Sequence, residues 1–165
     1  MNFSFFLENE EATKLFAQNL ALSLKPGDLV TLQGDLGTGK STIARTIIQT
    51  LANNNTMDVP SPTFTLVQSY QLPKFEIIHA DLYRLSMAEE IDELGLHEAR
   101  EKNILLVEWP ERNTALLELA TFALTLHYKE HGRHVTVRSA QHSIECLQQS
   151  FAIRTFKKNM NIIIF

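Results

Sequence analysis

Apolar and polar residues along the chain follow two different periods, and these periods predict its helices and strands. Apolar residues recur at helical spacing from Ala12 to Leu24 and again within Lys40–Leu51. Pro26 and Gly27 end the first of these helices, since proline cannot continue a helix and glycine accepts turn dihedrals. Leu29–Leu32 and Asn103–Glu108 are short apolar runs typical of buried strands.

Two more strands and a hairpin are predicted from the remaining apolar segments. Thr63–Tyr70 follows two prolines and Lys74–Ala80 comes soon after it. From Leu119 to Arg138 the apolar residues alternate with polar ones, and His131-Gly132 is the predicted turn between two antiparallel strands. Strands separated by helices, with a hairpin near the end, predict an α/β fold with a mixed sheet.

Two further helices are expected. One begins at Ser86, which Glu89 follows at the spacing of a capping box. The other runs from His142 toward Arg154. No strand is predicted before the first helix.

Composition narrows the class of protein. The 165 residues suit one compact domain, and 44% hydrophobic residues exclude wholesale disorder. A net charge of −4 argues against a dedicated DNA or RNA binder. One cysteine excludes an internal disulfide and a multi-thiolate zinc site. Neither a signal peptide nor a membrane span is recognisable, so we expect a cytoplasmic protein.

A glycine-rich loop carries the most specific chemistry. Gly34–Ser41 reads GDLGTGKS and matches the phosphate-binding pattern G-x-x-x-x-G-K-[ST] at every specified position. A predicted strand precedes it and a predicted helix follows it, so unpaired amides and the helix dipole favour a bound phosphate. Lys40 is expected to reach the β- and γ-phosphates, and the Ser41 hydroxyl to bind Mg²⁺.

The loop needs a carboxylate at the end of a neighbouring strand. Asp81 and Glu108 both follow predicted strands, and either one could serve the metal while the other orients the attacking water. The hydroxyl of Thr63 is a candidate sensor of the γ-phosphate. Arg133, in the predicted turn, either contacts the nucleotide or is solvated, and Trp109 is predicted to be a core or subunit-facing aromatic.

Motifs that are missing separate the nucleotide-binding classes. The chain has no Asn/Thr-Lys-x-Asp motif for reading guanine, which favours ATP over GTP. Arg84, Arg100 and Arg112 are scattered, whereas small-molecule kinases carry an arginine-rich lid. A small ATPase that serves a partner fits best, with a small-molecule or nucleoside kinase and a non-enzymatic nucleotide-sensing module as alternatives.

Four blocks, in this order and spacing, resemble the TsaE (YjeE) family. They are GDLGTGKST from Gly34, SPTFTL from Ser61, HADLYRL from His79 and EWPE from Glu108. The resemblance covers about residues 5–138. It implies a P-loop NTPase-like three-layer fold with a mixed, mostly parallel sheet and a C-terminal antiparallel hairpin. Residues 1–140 would form this domain, and residues 141–165 match nothing that can be assigned.

The resemblance also implies a function. TsaE proteins are ATPases needed for making threonylcarbamoyladenosine, the modified adenosine at position 37 of tRNAs that read codons beginning with A. They act with the TsaB–TsaD heterodimer, so weak hydrolysis alone, stronger hydrolysis with partners, and only indirect contact with tRNA are expected. Neither membrane association nor stable DNA binding is expected.

By position, the resemblance assigns roles to residues of this chain. Gly37, Thr38, Gly39, Lys40, Ser41 and Thr42 would bind the phosphates of ATP or ADP. Ser41 and Glu108 would hold Mg²⁺, where the family usually has threonine in place of Ser41. Lys40, Asp81, Glu108 and Thr63 would serve catalysis. The stretch around Leu7, Glu11 and Thr13 would lie near the adenine.

Overall fold

The computed structural model describes residues 2–139. In chain order the elements are β1 Asn2–Leu7, α1 Glu10–Ala21, β2 Leu29–Gln33, α2 Lys40–Leu51, β3 Val67–Gln71, β4 Glu76–Asp81, α3 Ala88–Asp92, α4 Leu96–Arg100, β5 Ile104–Glu108, a 3₁₀ turn Pro110–Arg112, α5 Thr114–Leu119, β6 Phe122–Lys129 and β7 Gly132–Ser139. None of the described helices is long and apolar enough to cross a membrane.

The described strands form one mixed sheet in the order β1-β7-β6-β2-β5-β4-β3. Its centre, from β6 to β4, is parallel, and β7 and β3 run opposite to the other strands. This confirms the α/β, mostly parallel sheet with an antiparallel hairpin. Parallel strands β2, β4 and β5 end at the same edge, which is where ligands bind in such sheets.

Helices cover both faces of the sheet and give the predicted three layers. On one face α1 and α2 pack through Phe16, Ile43 and Ile47. On the other, Ile91 of α3, Leu96 of α4 and Leu116 of α5 pack on the sheet. Both faces are therefore dry, which explains the unbroken apolar runs in β2 and β5.

Strand β1 was not predicted from the sequence, and neither were the short helices α4 and α5. Phe3, Phe5 and Leu7 alternate with polar or outward positions, and β1 pairs antiparallel with β7. Phe5 lies 5.1 Å from Phe16 between ring centroids, which ties β1 to α1. The strand forms because a partner more than a hundred residues later offers its backbone, a relation that no local pattern contains.

Several predicted boundaries were wrong, and three of them have a clear physical reason. The strand expected from Thr63 begins at Val67, because Pro62–Thr65 forms a turn. Leu66, directly after the turn, has φ +65° and donates its N–H to the Pro62 carbonyl at 2.6 Å. The hairpin turn lies at Glu130-His131, and Gly132 is already paired with Lys129.

The helix expected from Ser86 begins at Ala88. The carboxylate of Glu90 accepts the N–H of Ser86 at 3.4 Å and of Met87 at 3.2 Å, so Glu90 does the capping expected of Glu89. The helix expected from His142 toward Arg154 lies outside the described residues.

Candidate functional site

A polar cavity of about 210 Å³ opens at the edge where β2, β4 and β5 end. Its lining comes from four segments that are far apart in the chain, namely the glycine-rich loop with the start of α2, the turn before β3, the end of β4 and the end of β5. The lining residues are Leu36, Gly37, Gly39, Lys40, Ser41, Thr42, Ser61, Thr63, Asp81, Glu108 and Trp109.

The glycine-rich loop takes a path that only glycine allows at its two ends. Gly34 has φ +141°, and a Cβ placed there would lie 2.4 Å from the carbonyl oxygen of Leu126. Gly39 has φ +105° and directly precedes α2, so the loop delivers the first turn of the helix to the cavity. Within the loop the Thr38 hydroxyl donates to the Asp35 carbonyl at 2.8 Å. The first turn of α2 therefore presents free amides to the cavity, as an anion site requires.

Lys40 is the cation of the cavity, and it is held by the loop itself. Its Nζ donates to the carbonyls of Gly34 at 2.6 Å and Asp35 at 2.8 Å, and it lies 4.0 Å from the ring centroid of Trp109. Only 4% of Lys40 is exposed. Burial lowers the pKa of Lys40, and the nearby carboxylates, Glu108 foremost, oppose this shift. An anionic ligand beside Nζ would add a further counter-charge and so oppose the cost of burying Lys40.

Ser41 and Glu108 face each other across the cavity floor. The Ser41 hydroxyl donates to Oε2 of Glu108 at 3.0 Å. Oε1 of Glu108 lies 2.9 Å from Nε2 of His79, and only 2% of Glu108 is exposed. The hydroxyl of the loop and the carboxylate at the end of β5, which the family resemblance pairs as ligands of Mg²⁺, are thus in direct contact.

Asp81 lies beside Glu108 in register on β4 and faces the turn before β3. Its Oδ2 accepts the Thr63 hydroxyl at 2.8 Å, and its Oδ1 accepts the Tyr83 N–H at 2.9 Å. Ser61 lies 2.9 Å from Thr63 between hydroxyl oxygens, so two hydroxyls of this turn meet one carboxylate. The two strand-end carboxylates therefore have different partners, since Glu108 contacts α2 and Asp81 contacts the hydroxyl-bearing turn.

Residues of the hairpin and of α1 close the loop from the other side. The Tyr128 hydroxyl donates to the Gly37 carbonyl. Arg133 bonds the Thr13 hydroxyl at 2.9 Å, and its Nε would lie 3.2 Å from a Cβ on Gly39. Arg133 thus connects the start of α1 to the phosphate-binding loop, a position from which a bound nucleotide could be contacted.

The structure brings together most of the predicted site residues. Those that line the cavity are Gly37, Gly39, Lys40, Ser41, Thr42, Thr63, Asp81 and Glu108. Thr38 is buried inside the loop, and Glu11 is exposed on α1, where it bonds Lys14 at 3.4 Å. Leu7 and Thr13 are both fully buried. The adenine assignment of Leu7, Glu11 and Thr13 stays a prediction.

Sequence reasoning missed several residues of the cavity. Ser61 and Leu36 carried no motif of their own, although each lies inside a quoted block. Trp109, predicted as a core or subunit-facing residue, is half-buried and lines the cavity, because its φ of +58° turns the chain sharply after Glu108. Its ring stacks on Tyr83 with centroids 4.8 Å apart.

The oxygen donors of the cavity suit a hard divalent cation. The Ser41 hydroxyl and the carboxylates of Glu108 and Asp81 are the donor types that Mg²⁺ prefers, and a protein site for Mg²⁺ needs only one or two carboxylates beside the phosphates. No group of three or more His, Cys, Asp or Glu side chains that could hold a metal by themselves is found among residues 2–139. The donor set therefore fits Mg²⁺ brought together with a nucleotide.

Comparison with known proteins gives a consistent result. A family model described as threonylcarbamoyl adenosine biosynthesis protein TsaE matches residues 7–137. The chain is 43% identical to the tRNA threonylcarbamoyladenosine biosynthesis protein TsaE of Rickettsia felis, over 87% of the chain and 86% of that protein. It is 35% identical to the protein of the same name from Haemophilus influenzae, over 74% of the chain and 77% of that protein. A crystal structure of Bacillus subtilis YdiB superposes with a TM-score of 0.69 at 25% identity, covering 93% of this chain and 96% of that one.

Proposed function

We propose that this chain, which belongs to the TsaE family of threonylcarbamoyl adenosine biosynthesis proteins, is a Mg²⁺-dependent ATPase of that pathway. Its task would be to hydrolyse ATP in support of threonylcarbamoyladenosine formation at position 37 of tRNAs that read codons beginning with A. The TsaB–TsaD heterodimer would be its partner and would carry the transfer chemistry. A tRNA reaction of this kind belongs in the cytoplasm.

The contact between Ser41 and Glu108 supports an ATPase most directly. It joins the hydroxyl at the end of the phosphate-binding loop to a buried strand-end carboxylate at 3.0 Å. A binding module needs the loop and its lysine, whereas hydrolysis also needs oxygen ligands placed for a metal between the phosphates. When bound, Mg²⁺ would neutralise charge on the β- and γ-phosphates.

The remaining residues divide the work of hydrolysis. The amides of Gly37 to Thr42 would hold the phosphates, and Lys40 would turn from the carbonyls of Gly34 and Asp35 toward them. Asp81 and Thr63 would orient the attacking water, since their 2.8 Å bond places a carboxylate and a hydroxyl on the same side of the cavity. The water oxygen bonds to the γ-phosphorus, the bond to the bridging oxygen breaks, and ADP, phosphate and a proton leave.

Partner dependence agrees with the surroundings of the cavity. Leu36, which lines the cavity, is 66% exposed, and Phe64, which follows Thr63 of the lining, is 83% exposed. No arginine is found among the described residues that line the cavity. A cavity without an arginine to stabilise the transferring phosphate is expected to hydrolyse ATP slowly by itself.

Reconstitution tests the proposal. The TsaB–TsaD pair, ATP and a substrate tRNA are combined with and without this chain, and both modified adenosine and free phosphate are measured. We expect many turnovers of modification only when the chain is present, and their loss with Lys40→Ala while the fold is kept.

Three other results would redirect the proposal. An unchanged yield of modified adenosine without the chain would refute it. Phosphate transfer to an added small acceptor, without release of free phosphate, would favour the kinase. Full support of modification by Glu108→Ala would favour the nucleotide-sensing module.

A further inference from the structure

His79 is a buried histidine at the candidate site to which the proposed hydrolysis gives no task. It lies on β4, two residues before Asp81 and therefore on the same face of the sheet, toward α2. Only 1% of His79 is exposed, so the imidazole is shielded from solvent. It is absent from the residues that line the cavity.

The two nitrogens of His79 have unequal surroundings. Nε2 lies 2.9 Å from Oε1 of Glu108. Nδ1 is buried and finds no hydrogen-bond partner among the residues that the structure describes. A proton on Nδ1 would be a buried donor without an acceptor, which proteins avoid. The proton therefore sits on Nε2, and His79 donates to Glu108.

Glu108 is consequently held by two donors of different character. The Ser41 hydroxyl on Oε2 belongs to the cavity and is free to rotate toward a ligand. His79, which bonds Oε1, is packed in the core, so it cannot turn toward a ligand in the cavity. If Ser41 turned toward a metal, the bond from His79 would be the one that keeps the carboxylate in place.

We propose that His79 is a positioning residue that fixes the Glu108 carboxylate with Oε1 toward the core, so that Oε2 faces the cavity and the Ser41 hydroxyl. This assignment rests on the proposed function, in which Glu108 serves a magnesium ion. Residues that orient a ligand through a second hydrogen bond alter metal affinity when they are removed. A glutamate without that bond would have to lose the freedom of its side-chain torsions each time the metal binds.

Magnesium-dependent nucleotide binding tests this role without any turnover. ADP affinity is measured by calorimetry for the full chain in EDTA and over a series of Mg²⁺ concentrations. In His79→Leu we expect the Mg²⁺ concentration for half of the affinity gain to rise by about tenfold, whereas affinity in EDTA stays within about twofold. His79→Gln keeps a donor at the position of Nε2, so its Mg²⁺ dependence is expected to be close to that of the wild type.

A matched core variant separates positioning from packing. Ile77→Val alters the same face of β4, two residues earlier, without contacting Glu108. It is expected to leave the Mg²⁺ dependence unchanged. A Mg²⁺ dependence in His79→Leu equal to that of wild type, or an equal loss of affinity with and without Mg²⁺, would overturn the assignment.

The wild-type chain gives a second readout that does not depend on a variant that folds. In ¹⁵N spectra of the histidine rings, His79 is expected to show the tautomer protonated on Nε2. A signal from the tautomer protonated on Nδ1 would overturn the assignment. Wild-type binding of ADP with no magnesium effect would overturn the proposed function, and the role of His79 with it, whereas the variant results concern His79 alone.

Discussion

Replacement of Glu108 by glutamine changes one atom of the site and removes one charge. The glutamate is 2% exposed, accepts Nε2–H of His79 at 2.9 Å and accepts the Ser41 hydroxyl at 3.0 Å. Glutamine can keep both contacts if its oxygen faces His79 and its amide faces Ser41, because a hydroxyl donates or accepts as required. The substitution therefore changes the electrostatics of the site and leaves its packing unchanged.

The magnitudes follow from these two bonds. Two charge-assisted hydrogen bonds become neutral ones, which costs about 1 kcal/mol each, and the relief of a buried carboxylate offsets part of that. We expect the free energy of unfolding to fall by less than about 2 kcal/mol. Glu108→Ala instead leaves the His79 donor buried without an acceptor and opens a cavity, so it should cost about 3–5 kcal/mol.

The effect of Glu108→Gln on activity should be large although its effect on stability is small. In the proposed role Glu108 helps to hold the Mg²⁺ that neutralises charge on the phosphates, and loss of one electrostatic stabiliser typically lowers kcat by about 10²–10³. Glu108→Gln should therefore lose Mg²⁺-dependent phosphate release while remaining folded. Urea unfolding and phosphate release in the presence of the partner pair measure the two effects. Phosphate release within tenfold of wild type, or equal instability of the glutamine and alanine variants, would refute this reasoning.

Three other substitutions test separate parts of the structure. Gly34→Ala places a Cβ 2.4 Å from the Leu126 carbonyl at φ +141°, so urea unfolding should show a loss of about 2–4 kcal/mol. Thr31→Val removes a hydroxyl that is 1% exposed and has no hydrogen-bond partner among the described residues, so the same assay should show a gain of about 1 kcal/mol, and a loss would contradict this. For Lys40 the folded pKa is lower than the ordinary 10.5, so between those values the unfolded chain binds more protons and stability rises with pH. Relative to Lys40→Met, the wild type should therefore gain stability as pH rises through that window, and a constant difference would contradict the lowered pKa.

The residues nearest to the loop were predictable because their relation is local or follows from strand direction. The spacing of Gly34–Ser41 defines a loop at a helix start, and the end of a parallel strand must lie at the same edge. These two facts predicted that Asp81 and Glu108 would both lie at the edge that carries the phosphate-binding loop, and the resemblance to the TsaE family assigned Glu108 to the metal together with Ser41. The same reasoning could not divide the roles of Asp81 and Glu108. Only the side-chain geometry shows that Glu108 contacts Ser41 of α2 and that Asp81 contacts Thr63.

Other features depend on contacts that no local pattern contains. Strand β1 exists through its pairing with β7, at the far end of the described chain. Trp109 reaches the cavity because its backbone is left-handed, which a bulky residue rarely adopts. His79 is part of the HADLYRL block, but its proposed role depends on the rotamer of Glu108 on the neighbouring strand, which the sequence does not reveal.

The connectivity of the sheet has a consequence for the order in which the protein becomes competent. Strand β2, which leads into the phosphate-binding loop, lies in the centre between β5 and β6, both of which come much later in the chain. The loop itself is held by Tyr128 through its Gly37 carbonyl, and Arg133 reaches back to Thr13. Contacts of such long sequence separation form late, since the chain must close large loops before it gains them. A chain emerging from the ribosome would thus expose its complete phosphate-binding motif long before it could hold a nucleotide, and the ability to bind ATP would mark the completion of folding.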